Sequence, residues 1–245
     1  MSRRFLEAFK EVFRKMVAPS VRSAVYDATG RFCIEVFLWG KHLRRRRCDD
    51  AGVPEIVAVP MESFIFRLVD IPPENRDVLA GQVGKFLPMP SGEVIWQLLP
   101  VGGRSFVMAL PRNDWQAIVD EFQVGRRKGP QVIPSLIAAL VYHEWEHDGS
   151  GALALPVDSG HVFVRMAEGR VEYLELRQGP PEEGDVTVYD DEERIACGAA
   201  LYQLIPHGFG RDLAGRAHIA RLTRRIAVAA LLFCAGVGFV LYALY

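Results

Sequence analysis

The sequence predicts an α+β domain, layered from sheets and helices, followed by one C-terminal membrane helix. Two observations carry this prediction. Between residues 55 and 122 the segments run strand, strand, helix, strand, strand, helix, which suits helices packed on one face of a sheet. The stretch 226–245, IAVAALLFCAGVGFVLYALY, carries no charge and no proline. At about 1.5 Å per residue a helix of that length crosses roughly 30 Å, the hydrocarbon thickness of a bilayer. Composition agrees: 50% of the 245 residues are hydrophobic and 24% charged, enough to bury a core in one domain or two small lobes.

Taken in order, residues 1–20 read as a basic amphipathic helix. Phe5, Leu6, Phe9, Val12, Phe13, Met16 and Val17 fall at helical spacing, with Arg3, Arg4, Lys10, Arg14 and Lys15 largely elsewhere. Such a helix suits either an anionic headgroup layer or a protein surface, including that of a second copy. Residues 21–205 form the globular domain. VRSAVYDATGRFCIEVFLWG at 21–40 alternates as a hairpin does, around a turn at Asp27, Ala28, Thr29 and Gly30. Arg44–Arg47 follow, as an exposed strand edge or as a contact for anionic lipid or an acidic partner.

Strands are expected near 55–60, 63–71, 93–101 and 105–110, with a turn at Gly102 and Gly103. A helix over 74–87 places Val78, Leu79, Val83, Phe86 and Leu87 on one face, and a second helix starts near Arg112. A further helix runs from about Pro134 to Glu146, and a hairpin turns at Asp158, Ser159 and Gly160. The acidic run from Glu182 to Glu193 reads as a solvated loop or as a surface recruiting a basic partner.

Residues 206–225 are a basic linker. Arg211, Arg216, Arg221, Arg224 and Arg225 crowd the near side of the apolar run, while Tyr242 and Tyr245 lie at its far end. Basic residues stay on the cytoplasmic side, so the expected topology is a single pass with the N-terminus cytoplasmic. The net charge of −1 gives no support to nucleic-acid binding. The four cysteines show no CxxC spacing and read as free thiols of a reducing compartment.

Several motifs, in order, resemble one family. RLVDIPP at 67–73, KFLPMP at 85–90, EVIWQLLP at 93–100, VMALPRNDWQAIVDEF at 107–122, QVIPSLIAAL at 131–140, ALPVDSGHVFVRMAEGRVEYLELR at 153–177 and ERIACGAALYQLI at 193–205 carry the likeness. They resemble the cytoplasmic domain of the type II secretion platform's L protein and the type IV pilus assembly protein PilM. The resemblance spans roughly 21–245 and implies a reduced actin-like, ribonuclease H-like domain. It implies a non-catalytic scaffold whose partners are an assembly ATPase and bitopic inner-membrane platform proteins, beside membrane lipid and a possible second copy, and no cofactor. In nucleotide-binding relatives two Asp-x-Gly-type hairpins hold the phosphates. The positions that match here, Asp27, Thr29, Gly30, Asp158 and Gly160, are degenerate, and too little chain follows for an adenosine-enclosing lobe. They are expected to be structural turns, with a PilM-type nucleotide switch as one alternative.

The other alternative is a membrane-anchored zinc peptidase. His143-Glu144-Trp145-Glu146-His147 matches HExxH, in which two histidines one helical turn apart bind zinc and the glutamate activates water. Asp148-Gly149-Ser150-Gly151 breaks the helix directly afterward. His147 then lies at a helix end, where the dipole favours it without metal.

Overall fold

The computed structural model describes residues 20–26, 31–39, 42–48, 53–122, 129–179, 181, 186–205, 207 and 209. The N-terminal amphipathic stretch, the turn with Asp27, Thr29 and Gly30, most of the basic linker and the apolar run 226–245 lie outside them. Among the described residues no helix is long and apolar enough to cross a membrane. The chain divides into two compact units, and Val21–Val36 with Arg44–Gly210 form the larger one, described below.

Its first sheet has the order β3-β2-β1-β4-β8. The strands are β1 (Ser20–Tyr26), β2 (Arg31–Trp39), β3 (His42–Arg47), β4 (Ile56–Val59) and β8 (Gln131–Pro134). Four residues separate β1 from β2 and two separate β2 from β3, connections that only antiparallel neighbours allow. On the other side β1 pairs parallel with β4, Ser23 opposite Ile56, and β4 pairs parallel with β8, Ile56 opposite Gln131. All four residues of β4, Ile-Val-Ala-Val, are buried. A strand apolar on both faces belongs inside a covered parallel sheet, where no alternation is needed.

That placement corrects the expected single lobe over 55–122. β4 joins the first sheet, and only β5 (Ile65–Val69), β6 (Val94–Val101) and β7 (Arg104–Pro111) form the second, antiparallel and in the order β5-β7-β6. Helix α1 (Arg76–Phe86) covers one face, with Leu79 and Val83 fully buried against Val69, Val107, Val94 and Ala109. Val78, expected on that apolar face, is instead 48% exposed, because the helix turns it away from the sheet. Helix α2 (Arg112–Phe122) buries Ile118, Val119 and Phe122, and the Phe122 ring meets Tyr26 edge-on at 6.2 Å.

The third sheet, in the order β11-β10-β9-β12, combines β9 (Gly151–Val157), β10 (Gly160–Ala167), β11 (Arg170–Arg177) and β12 (Val186–Val188). Neighbours pair antiparallel except β12, which runs parallel to β9. Helices α3 (Ser135–Glu146) and α4 (Glu192–Leu204) pack against each other, and α3 also meets β4, β8 and β9. Every residue from Ser135 to His143 is buried, as an interior helix requires. The Ser23 hydroxyl donates to the Ala196 carbonyl at 2.7 Å, tying β1 to α4.

Candidate functional site

The HExxH residues occupy the last turn of α3. His143 is 1% exposed, and both of its ring nitrogens are engaged within the protein. Nε2 lies 3.2 Å from the Ser150 carbonyl oxygen and Nδ1 lies 3.1 Å from the Tyr189 hydroxyl. A carbonyl only accepts, so the network assigns the proton to Nε2 and makes the Tyr189 hydroxyl, which also lies 3.5 Å from the Glu146 carboxylate, the donor to the nearer Nδ1. Neither nitrogen then offers a free lone pair to a metal. The His147 ring sits 4.5 Å from that of His143, but its Nε2 turns to the Glu146 carboxylate at 3.4 Å. Glu144 approaches Gly169 in the turn between β10 and β11, and its Oε2 is buried without a hydrogen-bond partner. The motif thus forms a helix-end network whose polar atoms diverge. Among the described residues no three His, Cys, Asp or Glu side chains are grouped to hold a metal ion.

Electrostatics follow from this burial. Desolvation lowers the His143 pKa below its ordinary 6.5, reinforced by His147 and opposed by the Ser150 carbonyl and Glu146. Burial likewise raises Glu144, and burial beside Glu146 keeps the Tyr189 phenol protonated well above the ordinary tyrosine value. For His143 the unfolded chain binds more protons than the folded one below about pH 6.5. Its stabilising contribution is therefore complete above that pH and is lost as pH falls through the depressed native value. Glu144 has the opposite sign, because its raised pKa makes the native state gain as the carboxyl protonates. Thermal unfolding scanned from pH 7.5 to 5.5 in a Glu144→Gln background, which removes the opposing carboxyl, is expected to show Tm falling with acid. The same scan on His143→Gln should be flatter.

The second candidate site is the β9–β10 turn. Val157 pairs with Gly160 across the two residues Asp158 and Ser159. Gly160 has φ +138°, and a Cβ placed there would lie 2.1 Å from the Arg177 carbonyl oxygen. Glycine is therefore required by close packing against the end of β11. The space beside it is filled by an electron-rich oxygen, poorly suited to a phosphate. His161 Nδ1 contacts the Gly179 carbonyl at 2.8 Å, a second acceptor on the same side.

Charge clusters resolve in part into internal contacts. Arg45 pairs with Glu193, and the Arg47 guanidinium lies 5.3 Å above the Phe32 ring, both from an edge strand. Asp191 caps α4, its carboxylate accepting the Glu193 backbone N–H at 2.8 Å. The residues of the acidic run from Asp191 onward thus start a helix and neutralise an arginine, roles that charge counting alone does not reveal. An Asp preceding a long apolar-periodic segment is the capping signal that does.

A further feature had no sequence signal. Phe66, Leu68 and Phe106 share the face of the second sheet opposite α1, and with Val162, Leu174 and Leu176 of the third sheet they line a cleft of about 400 Å³. The Gly102 N–H donates to the Val171 carbonyl at 3.0 Å, joining the two sheets at one end. Leu176 is 46% exposed. The lining is largely apolar, with Arg67 and Glu175 adding one charge of each sign.

No family model and no curated protein matches the chain. Solved structures do show similarity. One is the cytoplasmic domain of EpsL, an inner membrane component of the type II secretion system of Vibrio cholerae, at 11% identity and TM-score 0.43, covering 73% of this chain and 93% of that one. Another is a PilM–PilN type IV pilus biogenesis complex, at 13% identity and TM-score 0.43. It covers 66% of this chain, which in turn spans 61% of that one. A third is a Bacteroides thetaiotaomicron protein with an actin-like ATPase fold and unknown function, at 7% identity and TM-score 0.40, covering 65% and 70%.

Proposed function

We propose that the chain is a non-catalytic, single-pass inner-membrane scaffold of a type II secretion or type IV pilus-like assembly platform. In this reading the domain faces the cytoplasm and couples an assembly ATPase to bitopic membrane components, while residues 226–245 anchor it. Lipid contact and pairing with a second copy belong to the same proposal.

The observation that carries it is the chain order of the fold. Three meandering strands continue into parallel β4 and β8, the small β5-β7-β6 sheet is inserted between those two strands, and the Pro134-led helix and the β9–β10 hairpin follow. The motifs that resemble the L-type and PilM proteins fall in that order, and a ribonuclease H-like core suits the first sheet. The apolar cleft and the exposed Leu176 supply contact surface of the kind a protein partner uses.

Complementation tests the reading. A strain lacking this gene is expected to lose secretion or pilus assembly, and wild type, His147→Ala and Asp158→Ala should each restore it. Zinc chemistry would require His147 and phosphate chemistry would require Asp158, so failure of either variant at wild-type protein level would contradict the scaffold. It would move the assignment to the peptidase or to the nucleotide switch respectively.

A further inference from the structure

Cys33 and Cys48, distant in sequence, are cross-strand partners. The Cys48 backbone N–H donates to the Cys33 carbonyl oxygen at 2.9 Å. In an antiparallel ladder such a bond joins residues directly opposite each other. Counting back along β2 from Trp39, and forward from His42, across the two-residue connection, reaches the same pair. A hydrogen-bonded antiparallel pair holds its Cα atoms about 5.5 Å apart. Disulfides take Cα separations of about 4.4–6.8 Å, so the backbone need not move to accept one. Both cysteines are half-buried, within reach of a small reagent. Cys197, by contrast, is fully buried in α4.

We propose that Cys33 and Cys48 form a modification site: a dithiol that a small-molecule disulfide of the glutathione class converts into an intramolecular disulfide, cross-linking edge strand β3 to β2. Atoms and electrons balance as follows. The Cys48 thiolate attacks one sulfur of the reagent, breaks its S–S bond and expels one reagent thiolate, leaving a mixed disulfide on Cys48. Cys33 then loses its proton to solvent and attacks the Cys48 sulfur, expelling the second reagent thiolate. Two cysteine thiols are oxidised by two electrons, the reagent disulfide is reduced, and the two released protons end on its thiols.

The order has a physical reason. Burial and the adjacent Cys48 push the Cys33 thiol up to about 12, with Glu35 adding to the rise and Arg22 opposing it. Cys33 is therefore the weaker attacker at neutral pH, ring closure is the slow step, and it accelerates roughly tenfold per pH unit. The bridge would fix the strand that carries Arg44–Arg47 at the open edge of the first sheet.

The test equilibrates the detergent-solubilised full-length protein in glutathione buffers of rising oxidised fraction, followed by acid quench, alkylation and peptide mass spectrometry. The expected result is a Cys33–Cys48 linked peptide, loss of two alkylatable thiols, and a higher Tm that dithiothreitol reverses. Cys33→Ser should stop at the glutathione adduct on Cys48. Both cysteines recovered as free thiols or as separate adducts in excess glutathione disulfide would overturn the proposal. So would a bond between chains, seen as a dimer on a non-reducing gel. The linked-peptide readout uses the wild-type chain alone, so a variant that fails to fold does not weaken it.

Discussion

Gly198→Leu is expected to destabilise the domain by at least about 3 kcal/mol, seen as a marked fall in Tm. Gly198 lies in α4 where it crosses α3, and a Cβ there would sit 2.0 Å from the Ala138 carbonyl oxygen and 3.1 Å from Tyr142 Cβ. The first obstacle is backbone inside a helix, so no rotamer change relieves it. The surrounding residues, Ala138, Ala139, Ala199 and Ala200, are all small and all fully buried, which is what lets the two helices approach so closely. Overpacking a filled core costs about 1–3 kcal/mol when side chains can adjust. Here the helices themselves must separate, so the cost should reach at least about 3 kcal/mol, against a total stability of about 5–15 kcal/mol. Gly198→Ala gains up to about 1 kcal/mol of helix propensity and should still destabilise, by less. Thermal unfolding of both variants beside wild type checks this, and a wild-type Tm for the leucine variant would show that the crossing is looser than described.

Tyr189→Ala is expected to cost about 3–5 kcal/mol, the range for removing a large buried aromatic ring. Tyr189 is 1% exposed, packs edge-on to Tyr142 at 6.1 Å, and holds its backbone N–H on the Ala154 carbonyl at 2.9 Å. Tyr189→Phe separates the two contributions. It keeps the ring and removes only the hydroxyl, leaving His143 Nδ1 without its donor, a loss of about 1–3 kcal/mol. The phenylalanine variant should also change the pH profile of unfolding. A rotated hydroxyl can accept from a protonated Nδ1, so its removal leaves the imidazolium without that partner and the acid-linked loss of stability grows. Equal Tm values for Tyr189→Phe and Tyr189→Ala would contradict this division.

These residues show which parts of the molecule sequence patterns reveal. Helix α3 was legible because a proline precedes an apolar run and a glycine-rich turn follows it. The β9–β10 and β10–β11 hairpins were legible because alternation and turn residues are local signals. β4 was misassigned because strand pairing is non-local: IVAV reads the same whether it pairs with a following strand or, as it does, with β1 and β8. Val78 shows a narrower limit, since adjacent Val78 and Leu79 both fit an apolar stripe and only packing selects Leu79. HExxH spacing put both histidines on one side of the helix, whereas Ser150 and Tyr189, which engage His143, come from a turn and from another strand end. The Cys33–Cys48 pairing depends on hairpin register, which cysteine spacing alone does not disclose.

The scaffold reading is tested most directly by affinity purification of the full-length protein from its native membrane in mild detergent, with partners identified by mass spectrometry and metal content measured on the same sample. The account predicts co-purification of an assembly ATPase and of bitopic inner-membrane proteins, without stoichiometric zinc. Recovery of the chain alone, or with one zinc per chain and cleaved polypeptides, would contradict it.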